Sequence, residues 1–205
     1  LECGACGWAG MERGMGQQVI ELSQDGEVLV RLGEAGMAGD DAEHFNGPAA
    51  VLVAPGGEIW VADGHRGGNN RVMKFSADGE LLLQLGGGVD DTSRESGRFN
   101  DPHDLKMDSQ GRLFVADRGN NRIQIFDQAG ELLDIWTQFG RPSGLWIDAD
   151  DRLYAADGMS GERWNRGWER GIRIGDARSG YVTEFIPDYE VQSGSGIEFL
   201  AADRD

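Results

Sequence analysis

One pattern recurs three times along the chain and leaves few folds open to it. The stretch FNGPAAVLVAPGGEIWVAD at 45–63 aligns with FNDPHDLKMDSQGRLFVAD at 99–117 and with FGRPSGLWIDADDRLYAAD at 139–157. Phe45, Phe99 and Phe139 coincide, as do Pro48, Pro102 and Pro142, and Asp63, Asp117 and Asp157. The segment after each stretch repeats as well: NNRVMKFSADGELLLQLG at 69–86, NNRIQIFDQAGELLDIW at 120–136 and, more faintly, RGIRIGDARSGYVTEF at 170–185. QQVIELSQDGEVLVRLG at 17–33 copies the second half alone, and GIEFLAADRD at 196–205 copies the opening strand alone. Self-similarity of this period marks a supersecondary unit that must stack on its copies to bury both of its faces.

Each copy reads as four short strands of alternating or fully apolar character. Asp25-Gly26, Asp78-Gly79 and Ala129-Gly130, each followed by Glu, are hairpin signals between its last two strands. Small four-stranded sheets of about 40 residues, repeated radially so that only short edges remain, make an all-β chain of the β-propeller type. The expected organisation is a partial blade at 17–33, blades at 45–86, 99–136 and 139–186, and a partial blade at 196–205. Residues 1–16 form a degenerate N-terminal segment that fits no blade. About four blades' worth of sequence is present. Either the two ends pair into one composite blade and close a small ring, or the chain is part of a larger ring; the second is the working expectation.

Composition narrows the function classes. With 36 acidic against 19 basic residues and a formal charge of −17, the surface repels phosphate backbones, so nucleic-acid binding is not expected. The same field suits divalent cations or cationic ligands. No stretch approaches the roughly 20 apolar residues of a membrane helix, so membrane insertion is not expected, and no signal peptide is read at the start. The two cysteines, Cys3 and Cys6, form CGAC. A redox pair should open a helix after a strand, and a zinc site needs further ligands, so two reduced thiols in a frayed end are expected.

Antiparallel strands put the residue entering the first strand and the residue leaving the second on one edge of a blade. That edge carries His103 and Asp104 with Asp117 and Arg118, then Ala49 with Asp63, Gly64 and His65, then Ser143 with Asp157 and Gly158, with Glu198 matching His103 in the last partial unit. These positions are expected to ring the mouth of a central channel that takes a small molecule or peptide. His103 differs from its equivalents Ala49, Ser143 and Glu198, so it is either a ligand or acid–base group or a polar filler of its corner. His65 sits in VADGHRGGNN, a loop three residues longer than its twin VADRGNN, and is either functional or part of a solvated turn. Arg118 either grips a carboxylate or pairs with Asp117 or a neighbouring acid. The Asp of each repeat is expected to cap its loop, and Arg71 and Arg122 to bond carbonyls or acids between blades. Residues 158–170, GMSGERWNRGWER, interrupt the third unit with two Trp and three Arg: either a lid over a ligand or a packed excursion.

The motif VAD-x-x-NNRIQIF-x-x-x-G resembles the NHL repeat. FNDPHDL followed by VADRGNNRIQIF, one unit after VADGHRGGNNRVMKFSADG, is further similar to the peptidyl-α-hydroxyglycine α-amidating lyases and their bacterial relatives. The NHL resemblance implies a ring of six blades. The lyase resemblance implies cleavage of a hydroxyglycine C–N bond with release of glyoxylate, a zinc held by His from Pro-His corners, and a structural calcium. It makes His103 one zinc ligand and Arg118 the active-site Arg, and it places His65 where that family has a Tyr, as a base for the hydroxyl proton. Only one Pro-His corner is present, so Glu198 is the candidate for a second metal ligand. Two other readings stay open: a non-catalytic NHL propeller that binds a peptide or protein partner, and a calcium-dependent lactonase-like hydrolase. Relatives are commonly exported, which favours an extracytoplasmic location.

Overall fold

The computed structural model describes residues 2–3, 16–88, 93–189 and 196–201. Its sheets follow the repeat. Strands β1 (Glu2–Cys3), β2 (Gln18–Leu22) and β3 (Val28–Gly33) form a three-stranded sheet in that order. Three four-stranded antiparallel meanders come next. The first is β4 (Pro48–Val53), β5 (Ile59–Asp63), β6 (Arg71–Phe75) and β7 (Leu81–Gly86). The second is β8 (Pro102–Met107), β9 (Leu113–Asp117), β10 (Arg122–Phe126) and β11 (Leu132–Trp136). The third is β12 (Gly144–Ile147), β13 (Arg152–Asp157), β14 (Gly171–Asp176) and β15 (Val182–Pro187). Two compact units are distinguished, 1–105 and 106–205, with the boundary inside β8.

The hairpin signals act as read. Gly79 closes its turn with an N–H bond to the Ser76 carbonyl, at φ +89, a left-handed conformation that suits a residue without Cβ. A bulge interrupts the adjoining strand pair, between Lys74 and Phe75. Bulges recur at the same place in the other sheets, at Glu21/Leu22, Ile125/Phe126 and Ile174/Gly175. The repeated turn therefore imposes a repeated offset and twist on each outermost strand.

Burial is deepest in the middle strands of each meander and least on the last strand. Strands β5, β6, β9 and β10 are buried along their whole length, while β7 and β15 are mostly open to solvent. In the first unit Val19, Leu32 and Phe45 pack with Ile59, Val61, Met73 and Phe75, and Phe45 meets Phe75 edge-on at 6.1 Å. In the second, Phe114, Ile123, Ile125 and Trp136 pack with Phe139, Leu145, Leu153 and Ala155. Trp136 stacks on Phe139 at 5.8 Å and takes Phe114 against its edge at 5.6 Å. The recurring Phe is thus an apolar plug, each buried ring contributing about 1.5–3 kcal/mol.

Both ends add detail that the repeat did not supply. Glu2–Cys3, inside the segment expected to fit no blade, runs antiparallel to β2 through Glu2↔Ile20 and Cys3↔Val19; Cys6 lies outside the described residues. Residues 196–201, read as an opening strand, carry no strand assignment, and 202–205 lie outside the described residues. The Gly196 N–H nevertheless donates to the Gly158 carbonyl at 2.8 Å, within the second unit. Among the described residues no helix is long and apolar enough to cross a membrane.

Candidate functional site

Asp63, Asp117 and Asp157 are fully buried and each organises its own meander. Asp63 accepts the Asn46 amide at 2.8 Å, the Asn69 side chain at 2.8 Å and Arg71 Nε at 3.0 Å. Asp117 accepts Asn120, Arg122 Nε at 2.6 Å and Gln124. Asp157 takes the amides of Arg141, Met159 and Ser160, the Ser160 hydroxyl and Arg173. Loop capping by amides thus holds for Asp63 and Asp157. The recurring arginines pair with acids of their own blades, Arg71 and Arg122 facing Asp63 and Asp117 directly across one strand pair, and for Arg71 the expected carbonyl partners between blades are present too. Arg71 also donates to the carbonyls of Asp40 and His44. Burial pushes the Asp63 carboxyl above its ordinary range, and the Arg71 charge opposes that rise.

In the first unit the enlarged loop after β5 keeps the same anchor as its shorter twin. Asn69 reaches Asp63 as Asn120 reaches Asp117, so the three additional residues are extruded between fixed ends. Gly64 makes room for the excursion, since a Cβ there would lie 2.6 Å from Pro102 Cδ and 2.9 Å from the Asn70 nitrogen. The extruded segment carries His65, whose ring stands edge-on to His103 with centroids 5.0 Å apart and planes at 66°. His103, on β8, is 2% exposed. His65 Nδ1 lies 3.5 Å from Asp101 Oδ1, and the His65 amide donates to the Gly47 carbonyl at 2.8 Å. Asp101 is fixed in turn by its amide's bond to Asn70 Oδ1 at 2.9 Å, while the buried Asn70 Nδ2 has no hydrogen-bond partner among the described residues.

In the second unit Arg118 opens a short 3₁₀ turn, Arg118–Asn120, closed by Asn121 at φ 56. Arg118 is 5% exposed, and its guanidinium stands 3.9 Å from the Glu198 carboxylate. Asp117, the other partner considered for it, is occupied by Asn120, Arg122 and Gln124. Arg141 holds this turn from the third meander: it donates to the Arg118 carbonyl at 2.8 Å and to Asn121 Oδ1 at 3.1 Å. Glu198 is brought in by chain packing, because Gly144 and Gly158 lie so close to the 196–199 backbone that a Cβ on either would collide with it. Ser143 is fully buried at the head of β12.

The 158–170 insertion is packed onto its own unit. Trp164 stacks with the guanidiniums of Arg141 at 5.0 Å and Arg163 at 5.1 Å, and Trp168 lies over Arg173 at 4.8 Å.

The structure therefore pairs His65 with His103 in the first unit and Arg118 with Glu198 in the second. Among the described residues no three His, Cys, Asp or Glu side chains gather so as to hold a metal ion. Asp101, Asn70 and Arg141 were not singled out in the sequence. Asp101 and Arg141 had one available signal: both stand at the repeat position of Gly47, just before the recurring Pro. Asp101 adopts φ +58 there, a conformation that Asp tolerates better than most residues.

Residues 99–126 match the family model described as NHL repeat. The chain is 40% identical to human "NHL repeat-containing protein 3" over 124 residues, 59% of this chain and 35% of that protein. It is 37% identical over 101 residues to the "Probable peptidyl-alpha-hydroxyglycine alpha-amidating lyase pgal-1" of Caenorhabditis elegans, covering 49% of this chain and 28% of the relative. The chain thus spans about a third of the length of these relatives. A crystal structure from Bacteroides caccae, of a protein whose function is unknown, superposes with a TM-score of 0.61 at 15% identity, over 89% of this chain and 62% of that one. The fold is accordingly that of an NHL-type β-propeller, of which this chain holds part of a ring.

Proposed function

We propose that this NHL-repeat chain forms part of an enzyme of the peptidyl-α-hydroxyglycine α-amidating lyase type. The reaction breaks the C–N bond of a terminal α-hydroxyglycine: the hydroxyl loses its proton, its carbon becomes the aldehyde of glyoxylate, and the departing nitrogen takes up a proton as the peptide amide. The observation that carries the reading is the His65–His103 pair, with Asp101 beside His65. An imidazole with a carboxylate beside it is a group of the kind that takes a hydroxyl proton. Arg118 is assigned the substrate carboxylate, for which a guanidinium offers a two-pronged partner. Each role rests on that residue's own surroundings and on the likeness of the chain to the named lyase.

Zinc and a structural calcium belong to the same reading. His103, in the first unit, is the proposed zinc ligand, and Glu198, in the second, is a separate candidate ligand; the described residues do not assemble a three-ligand set. No step is therefore assigned to a metal, and metal analysis of the purified protein decides this part separately.

The test is turnover. The full-length, metal-loaded protein incubated with a peptide ending in α-hydroxyglycine is expected to release glyoxylate, and His65→Gln to abolish most of that release with the fold retained. No glyoxylate from that preparation rejects the lyase reading. A second reading, a propeller that binds peptide without turnover, is favoured by the likeness to human "NHL repeat-containing protein 3", whose name states no reaction. Peptide binding without glyoxylate would establish it.

A further inference from the structure

We infer that the 158–170 loop is a docking arm for a peptide segment that carries a single carboxylate beside an apolar side chain. The inference is independent of the lyase reading. In a chain where acids outnumber bases by 36 to 19, this loop reverses the balance, with Arg163, Arg166 and Arg170 against Glu162 and Glu169. Its cations are not equivalent. Arg166 meets Glu162 at 3.4 Å, and Arg173 beneath the loop is taken up by Asp157 and the Glu169 carbonyl. Arg163 is exposed, stacks on Trp164, and has no carboxylate partner among the described residues.

A guanidinium lying on an indole is held by its face, which leaves its N–H edge directed away from the ring and suited to a two-pronged carboxylate. Trp164 is itself anchored, because the buried Arg141 stacks with it and is tied to the Arg118 carbonyl. Turn bonds from Gly161 N–H to the Trp164 carbonyl and from Trp168 N–H to the Asn165 carbonyl fix the loop between the two indoles. The entropy of ordering the arm is therefore largely spent before any partner arrives.

The apolar half of the proposed site is assigned to Trp168, four residues along the same loop from Trp164, together with Phe185. Trp168 and Phe185 lie on the same Arg173 guanidinium at 4.8 and 4.6 Å, and remain 36% and 38% exposed. Exposed Trp rimmed by Arg is the composition that dominates binding energy at protein interfaces. A polyanion is the wrong occupant, since the −17 charge of the chain repels one along its length. An isolated carboxylate flanked by an apolar residue meets the local cation without that long-range penalty.

Calorimetric titration of the whole chain with a blocked peptide of sequence Leu-Glu-Phe tests this. Saturable binding is expected, lost when the Glu is replaced by Gln or Lys. Arg163→Gln is expected to weaken it on the order of tenfold. Arg163→Lys should restore only part of the loss, because an ammonium has no two-pronged edge, and Trp164→Leu should match Arg163→Gln. Arg163 is exposed, so an unchanged circular dichroism spectrum and melting profile are expected for its variants. The proposal is overturned if the Gln peptide binds equally, if the Arg163 variants bind like the parent, or if heparin binds more tightly than the peptide. It is also overturned if sedimentation shows that Arg163→Gln dissolves a self-associated form, since the occupant is then a second copy.

Discussion

His65 and His103 stand edge-on at 5.0 Å although they belong to successive repeats and neither has a histidine counterpart in the aligned units. The contact arises from a loop enlarged between fixed anchors. Asp63 and Asn69 hold the ends as Asp117 and Asn120 do in the shorter version, so the additional residues move outward and leave the strands in place. Chemistry is thus added to the repeat without altering the frame that carries it.

The frame depends on buried ion pairs. Arg71→Met leaves Asp63 fully buried without its cation and is expected to lower stability by about 3–5 kcal/mol in denaturant titration. Replacing both partners by apolar residues, Asp63→Leu with Arg71→Met, should recover a large part of that loss. A double variant as unstable as the single one would show that Asn46 and Asn69, rather than the charges, carry the interaction.

The Asp63 carboxyl gives a pH signature. Burial raises its pKa above the ordinary 3.8, so the folded protein takes up this proton at a higher pH than the unfolded chain does. Wild type should therefore gain stability relative to Asp63→Asn as pH falls from the raised value to 3.8, with no further change below. Unfolding free energies of the two proteins across that window check the sign.

Gly64 ties the His65 loop to the strand that carries His103. Gly64→Ala puts a methyl group into Pro102 and the Asn70 backbone and is expected to cost about 1–3 kcal/mol. It should also separate the two imidazoles, which the histidine ring resonances of an NMR spectrum report. Unchanged resonances in a destabilised variant would show that the pair is held independently of this contact.

Glu198 faces Arg118 at 3.9 Å and would compete with a substrate carboxylate for it. Under the lyase reading, Glu198→Gln should lower KM by up to about fivefold, a limit set by the small worth of a partly exposed pair. If Glu198 instead serves as a metal ligand, the same change lowers metal content and does not improve KM.

The meanders are legible in the sequence because a period-two pattern, a Gly turn and a recurring Phe specify a local structure that depends on near neighbours. The three blades, their hairpin turns and the buried Asp of each come from residues that recur in every copy. The pairing of His65 with His103, of Arg118 with Glu198, and of Arg141 with the Arg118 turn could not be read that way, since each joins segments that differ between copies. Repetition fixes the positions that are alike. Which unlike side chains touch is decided by loop lengths and close glycine contacts that only the folded chain brings together.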